Sequence, residues 1–168
     1  MKAPRGRTTR PTSDRVREAL FALLGDIADT RVLDLFAGTG ALGIEAISRG
    51  ARQAVFVERD QRAIEALRAN LAALGLIGEQ AQLRREDAAD ALRTARKREE
   101  TYDLVLIDPP YGRAREWGPQ LSAGLPGLLG PGGRVAVESE RRTPLALELA
   151  LEKGRRYGDT EIGIYRVP

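Results

Sequence analysis

Apolar positions along this chain follow two rhythms. Across 12–24, Val16, Leu20, Leu23 and Leu24 form one helical stripe, with Thr12 or Ser13 able to cap it. Short apolar runs at Arg31–Phe36, Gln53–Val57, Gln80–Arg84, Tyr102–Ile107 and Arg134–Ser139 predict strands. Helical patterns separate them. They lie at Gly40–Arg49, behind an Asp60 cap with Ile64, Leu67, Leu71 and Leu74, at 87–98, and at about 116–129, where Gly124 and Pro126 interrupt. Gly130-Pro131-Gly132-Gly133 predicts a turn. In the tail, 144–152 predicts a helix, and 154–157 and 160–167 predict two strands turning at Gly158-Asp159.

Repeated strand–helix units imply an α/β fold, with a mostly parallel sheet and helices on both faces. Ligands in such sheets bind at the carboxyl ends of the strands, where strand order reverses. Polar motifs at strand ends are therefore the first candidates for chemistry.

At 168 residues the chain suffices for one domain, 1–168, fronted by a short basic arm at 1–11. No apolar run is long enough to cross a bilayer, and 1–15 lacks the hydrophobic stretch of a secretory signal. A cytoplasmic location is expected. The chain holds no Cys and no His. That removes thiolate nucleophiles, His triads and Cys/His zinc sites, and no metal is expected. Acid–base work falls to Asp, Glu, Tyr, Lys or backbone. Net charge is only +3, but Lys2, Arg5, Arg7, Arg10, Arg15 and Arg17 face a single acid, Asp14, in the first seventeen residues. Arg5, Arg7, Arg10 and Arg15 are candidates for phosphate contacts; a solvated terminus is the plain alternative.

Asp108-Pro109-Pro110-Tyr111 follows the strand Tyr102–Ile107. Prolines fix the backbone and donate no N–H, so their carbonyls remain acceptors. Asp108 adds an acceptor and Tyr111 a flat stacking face. The set suits a planar ring bearing an exocyclic amine. Upstream, Gly38-Thr39-Gly40-Ala41-Leu42-Gly43 satisfies G-x-G-x-x-G, a pattern shared by dinucleotide and nucleoside sites. Asp34, four residues earlier, would repel a pyrophosphate and attract an ammonium or sulfonium. Glu58 ends the second strand, placed for ribose hydroxyls. Asp87 can accept from an adenine N6 amine, with a nearby backbone N–H meeting N1, or can simply cap the next helix. Phe36, Ala37, Arg59, Ala88 and Thr12 complete the expected cofactor set. Trp117 is expected in the core or at a site rim. Glu138 ends the fifth strand and reads as structural.

Taken together, Asp34–Gly40, Glu58, Asp87 and Asp108–Tyr111 resemble the Rossmann-like S-adenosylmethionine-dependent amino-methyltransferases. Thr9–Phe21, Phe36–Ala46, Ser48–Ala51, Val137–Glu140 and Tyr157–Thr160 resemble one branch more closely, the RsmD-type small-subunit ribosomal RNA guanine-N2 methyltransferases. The likeness runs over about residues 8–167. It implies a class I methyltransferase fold, whose seven-stranded sheet carries an antiparallel C-terminal hairpin strand. It also implies S-adenosylmethionine as cofactor, and a guanine N2 in small-subunit ribosomal RNA, partly assembled with ribosomal proteins, as acceptor. Asp108, Pro109, Pro110 and Tyr111 would be the catalytic set. Met1–Thr8 is too short for the family's usual N-terminal hairpin; if that hairpin helps grip RNA, either the chain does so with less or the sequence is truncated. Three rivals remain at this stage: an adenine-N6 DNA methyltransferase, an NAD(P)-dependent oxidoreductase and a non-catalytic RNA-binding module.

Overall fold

A computed structural model describes residues 11–167. In chain order the elements are α1 (Pro11–Leu24), β1 (Arg31–Asp34), α2 (Ala41–Ser48), β2 (Gln53–Glu58), α3 (Gln61–Ala73), β3 (Ala81–Arg85), α4 (Ala88–Lys97), β4 (Tyr102–Ile107), α5 (Ala114–Gly124), a 3-10 turn (Pro126–Leu128), β5 (Leu129–Glu140), β6 (Ala150–Tyr157) and β7 (Thr160–Arg166). Among the described residues no helix is long and apolar enough to cross a membrane.

The strands form one sheet in the order β3-β2-β1-β4-β5-β7-β6. The pairs from β3 to β5 are parallel, and β7 runs antiparallel between β5 and β6. Crossover helices cover both faces, so the central strands read as continuous apolar runs. Val32, Leu33, Val55, Phe56, Val105, Leu106 and Ile107 are all buried. One core lies under α1, α2 and α3, and contains Leu20, Phe21, Ile44, Phe56, Leu67 and Ile162. The other lies under α4 and α5, and contains Leu33, Tyr102, Trp117, Leu121 and Leu147. Truncating a fully buried residue such as Phe21 to Ala costs about 3–5 kcal/mol.

The direction of α1 matters for the site. Its last turn meets the amino-terminal half of β5 and the start of β6: Arg134 Nη1 donates to the Leu24 carbonyl, and Lys153 Nζ to that of Leu23 at 3.0 Å. Its earlier residue Arg17 lies 3.7 Å from Glu45 of α2, and its charge acts on Glu138, at the far end of β5. The amino end of α1 therefore points to the carboxyl edge of the sheet.

Three sequence expectations need correction. The helix predicted at 144–152 is absent; the chain is irregular there until β6 begins at Ala150. Leu145 and Leu147 are buried and Leu149 half-buried, while Ala146, Glu148 and Ala150 are exposed. That alternation has a period of two, and packing of the leucines on the α5 core overrides helix propensity. The tetrapeptide at 130–133 lies inside β5, which starts at Leu129, and a register shift against β4 absorbs it. The helix expected at 116–129 is a shorter α5 followed by the 3-10 turn, divided where Gly124 and Pro126 stand.

Candidate active site

Strand order reverses between β1 and β4, which are parallel neighbours. The loops leaving their carboxyl ends therefore open side by side. Asp34 pairs with Leu106, and the Leu35 amide donates to the Leu106 carbonyl at 3.1 Å. The glycine-rich loop and the lip thus leave the carboxyl ends of neighbouring strands, at Asp34 and Ile107.

The glycine-rich loop is held from within. Glu58 Oε2 accepts from the Gly38 amide at 2.8 Å, and Glu58 Oε1 accepts from the Asp60 amide at 2.9 Å. Asp34 Oδ2 accepts from the Gly43 amide at 3.0 Å. The Gly40 amide donates to the Ala37 carbonyl at 2.8 Å, and Ala37 itself donates to Val57 at 2.9 Å. Gly40 has φ +92°, and a Cβ there would lie 2.2 Å from Leu67 Cδ1. Gly43 lies against Phe56, whose Cε1 would be 2.3 Å from an added Cβ. The pattern G-x-G-x-x-G is thus required by the turn and by helix–sheet packing.

Asp34 sits beneath this loop, only 1% exposed. Its Oδ1 has no hydrogen-bond partner within the protein. Burial pushes its carboxyl up to about 7; the Gly43 bond opposes this and the Glu58 charge adds to it. Asp34 therefore holds the loop from the inside, through the Gly43 amide. Asp87 caps α4: its Oδ1 accepts from the Ala89 amide at 2.8 Å. Its Oδ2 lies 3.6 Å from Arg59 Nη1, which brings those two expected residues together. Ala88, the first residue of α4, is buried.

The lip has a mixed character. Pro109 is buried, while Asp108, Pro110 and Tyr111 are exposed, Tyr111 at 87%. The following residue ties the lip to β5, because the Gly112 amide donates to Glu140 Oε1 at 2.9 Å. Phe36 meets Trp117 of α5 edge to face, with ring centroids 5.0 Å apart. Trp117 is 8% exposed, so it belongs to the core that supports Phe36. Glu138 is half-buried; burial raises its pKa and Arg17 opposes the shift.

Arg15 is exposed on α1, near the amino end that faces this edge. Thr12 lies in the first turn of α1, and its side chain falls outside the described residues. Arg5, Arg7 and Arg10 lie outside them too. One contributor escaped the sequence reading. Asn70 is buried on α3, and its Nδ2 donates to the Thr39 carbonyl at 3.1 Å. Its signal was available: it is the polar residue beside Leu67 and Leu71 on an otherwise apolar stripe.

The sheet order, the glycine-rich turn after β1, the acid ending β2 and the polar lip after β4 define a class I methyltransferase. The chain belongs to the family described as "Conserved hypothetical protein 95", whose model matches residues 1–166; this is the RsmD-type family to which the N-terminal signature pointed. A Bacillus subtilis (strain 168) protein named "Putative rRNA methyltransferase YlbH" is 38% identical over 170 residues, covering 99% of this chain and 92% of that protein. "Ribosomal RNA small subunit methyltransferase D" of Escherichia coli (strain K12) is 41% identical over 105 residues. That match takes in 62% of this chain and half the length, 50%, of the relative. Among solved structures, "Putative methyltransferase yhhF from Escherichia coli" superposes with a TM-score of 0.77 at 33% identity, covering 99% of this chain and 95% of that one.

Proposed function

We propose that this chain transfers the methyl group of S-adenosylmethionine to the exocyclic N2 amine of a guanine in small-subunit ribosomal RNA. The observation that carries the cofactor is the state of the glycine-rich loop. In dinucleotide enzymes the amides of this loop and its helix bind a pyrophosphate. Here the Gly38, Gly40 and Gly43 amides already donate to Glu58, Ala37 and Asp34. The Glu58 carboxylate stands at the turn, above the buried Asp34 carboxyl. That environment disfavours a phosphate and suits a phosphate-free nucleoside with cationic groups. Glu58 uses one bond per oxygen, leaving lone pairs for ribose hydroxyls.

S-adenosylmethionine supplies a methyl carbon already activated by its sulfonium. The protein's task is the acceptor. An exocyclic NH2 shares its lone pair with the ring and attacks poorly. Asp108 and the Pro109 carbonyl accept hydrogen bonds from that NH2, so its lone pair turns toward the methyl group. The same oxygens stabilise the positive charge growing on nitrogen, as preorganised electrostatics. As the N–C bond forms the S–C bond breaks, S-adenosylhomocysteine leaves, and the amine's spare proton passes to Asp108 or to water. Tyr111 stacks on the base, worth about 1–3 kcal/mol. The target guanine must be unpaired or flipped to reach the lip.

Ribosomal RNA as substrate is supported by the names of the relatives and by the N-terminal signature. The basic residues Arg5, Arg7, Arg10 and Arg15 are assigned to its phosphates, and a partly assembled small subunit to the particle recognised. Tritiated-methyl transfer to naked small-subunit RNA, and to small subunits from a strain lacking this protein, tests the reading. Label on either substrate is expected. No label on either would favour a non-catalytic binding module, and binding of NADH without response to S-adenosylhomocysteine would favour an oxidoreductase.

A further inference from the structure

The edge of the sheet beyond the lip carries positive charge that the chemistry above does not use. Its placement follows from register. Asp108 would stand level with Glu138, because Ile107 pairs with Val137. Glu138 pairs with Ile162, and Ile162 with Arg155. Ser139, Glu161 and Arg156 form the next row, and Glu140, Thr160 and Tyr157 the next. The end of β6 thus reaches the same sheet edge as the lip, three strand spacings away, or about 14 Å.

The loop after β5 bridges that gap. Glu140 holds the Gly112 amide on one side, and the Arg141 amide donates to the Asp159 carbonyl of the β6–β7 turn at 2.7 Å on the other. Lip, loop and hairpin are joined by hydrogen bonds. Along this edge Arg141, Arg142, Arg155, Arg156 and Tyr157 are exposed, Arg155 and Tyr157 on one face of β6 and Arg156 on the other. No hydrogen bond or ion pair engages the side chains of Arg141, Arg142 or Arg155 among the described residues; Arg156 has only Glu161, at 4.0 Å. Asp159 in the turn is the exposed acid beside them.

We propose that this ridge binds the sugar–phosphate backbone of the RNA strand flanking the target guanine, and so draws that base to the lip. The inference rests on the reading of the site as an RNA methyltransferase and extends it to a second contact surface. Arginine forks match phosphate oxygens, and unpaired guanidinia at the rim of a cleft lose little on engaging them. Tyr157 adds a stacking face beside the phosphate track. The ridge lies on the opposite side of the lip from β1. Charges on an exposed edge strand also protect against strand-to-strand pairing. Charge reversal separates the two roles, because Glu protects an edge as Arg does but repels phosphate.

The test uses the full chain with Arg142→Glu and Arg155→Glu combined, and Arg142→Lys with Arg155→Lys as the conservative pair. Affinity for a short fluorescein-labelled single-stranded RNA is read by anisotropy across salt concentrations, alongside methyl transfer to small-subunit RNA. The Glu pair should weaken RNA binding about tenfold or more and reduce the slope of log Kd against log salt by about 1.4, or 0.7 per lost contact. The methylation loss should fall in KM rather than kcat, and the Lys pair should keep the salt slope. Unchanged RNA affinity and slope in the Glu pair would overturn the ridge while leaving the methyltransferase reading intact. RNA binding that depends on the ridge, with no methyl transfer by the unaltered protein, would overturn that reading and leave the ridge standing.

Discussion

Glu58, the last residue of β2, accepts a hydrogen bond from the amide of Gly38 in the loop after β1, at 2.8 Å. Two strands are joined there, and the acid proposed to meet the ribose also shapes the glycine turn. On that proposal, binding and local folding share one residue. Glu58→Ala removes acceptors from Gly38 and from Asp60. Affinity for S-adenosylhomocysteine should fall at least about tenfold by calorimetry, with a stability loss of roughly 1–3 kcal/mol. Equal affinity in the variant would show that Glu58 meets no ligand.

The glycines of the loop should differ in tolerance. At Gly40 an added methyl meets Leu67 at 2.2 Å on a backbone with φ +92°. At Gly38, φ is +55° and nothing lies within 4 Å. Chemical denaturation should show Gly40→Ala losing about 2 kcal/mol or more, through both overpacking and backbone strain. Gly38→Ala should lose about 1 kcal/mol, through strain alone. Equal losses would mean that the packing of α3 over the loop is looser than described.

Asp34 makes stability depend on pH in a defined direction. Its folded pKa is raised from 3.8 to about 7. Between those values the unfolded chain releases the proton while the folded protein keeps it. The stability associated with the protonated form is present below about 4 and lost as pH rises through about 7, by an amount on the order of a few kcal/mol. Asp34→Asn keeps an oxygen for the Gly43 amide and cannot ionise. Unfolding free energies at pH 5 and pH 8 should converge on that behaviour: the unaltered protein weakens relative to the Asn variant as pH rises. A constant difference across that range would contradict a raised Asp34 pKa.

Asp108→Ala separates chemistry from cofactor binding. The residue is exposed on the lip at the exit of β4, and the Gly38, Gly40 and Gly43 amides of the glycine turn donate to Glu58, Ala37 and Asp34. The variant should retain affinity for S-adenosylhomocysteine while losing at least about tenfold in methyl-transfer rate, equivalent to 1.4 kcal/mol of barrier. Full activity in this variant would remove Asp108 from the mechanism.

Much of this was legible before the fold was known, for reasons specific to each segment. Tyr102–Ile107 was read with its observed bounds because a strand buried on both faces leaves an unbroken apolar run. The turn at Gly158-Asp159 was legible because Gly158 must take φ +56°. Leu145, Leu147 and Leu149 misled because a short segment rich in Leu, Ala and Glu satisfies helix propensity while its burial alternates. The lip and the glycine loop were found from residue types alone, but their adjacency depends on β1 lying beside β4, which local sequence does not encode. The inward position of Asp34 was hidden too. A carboxylate four residues before a glycine turn looks the same whether it faces a ligand or the amide of Gly43. Asn70 and Glu140 act through partners 31 and 28 residues away, Thr39 and Gly112, so spacing rules pass over them.

The most direct measurement is nucleoside-resolved mass mapping of small-subunit ribosomal RNA from a strain lacking this protein, followed by treatment of that RNA or its particles with purified protein and S-adenosylmethionine. One guanine should be missing its N2 methyl group and should regain it. An unchanged N2-methylguanosine content in the deletion strain, or new label found only in N6-methyladenosine, would contradict the account.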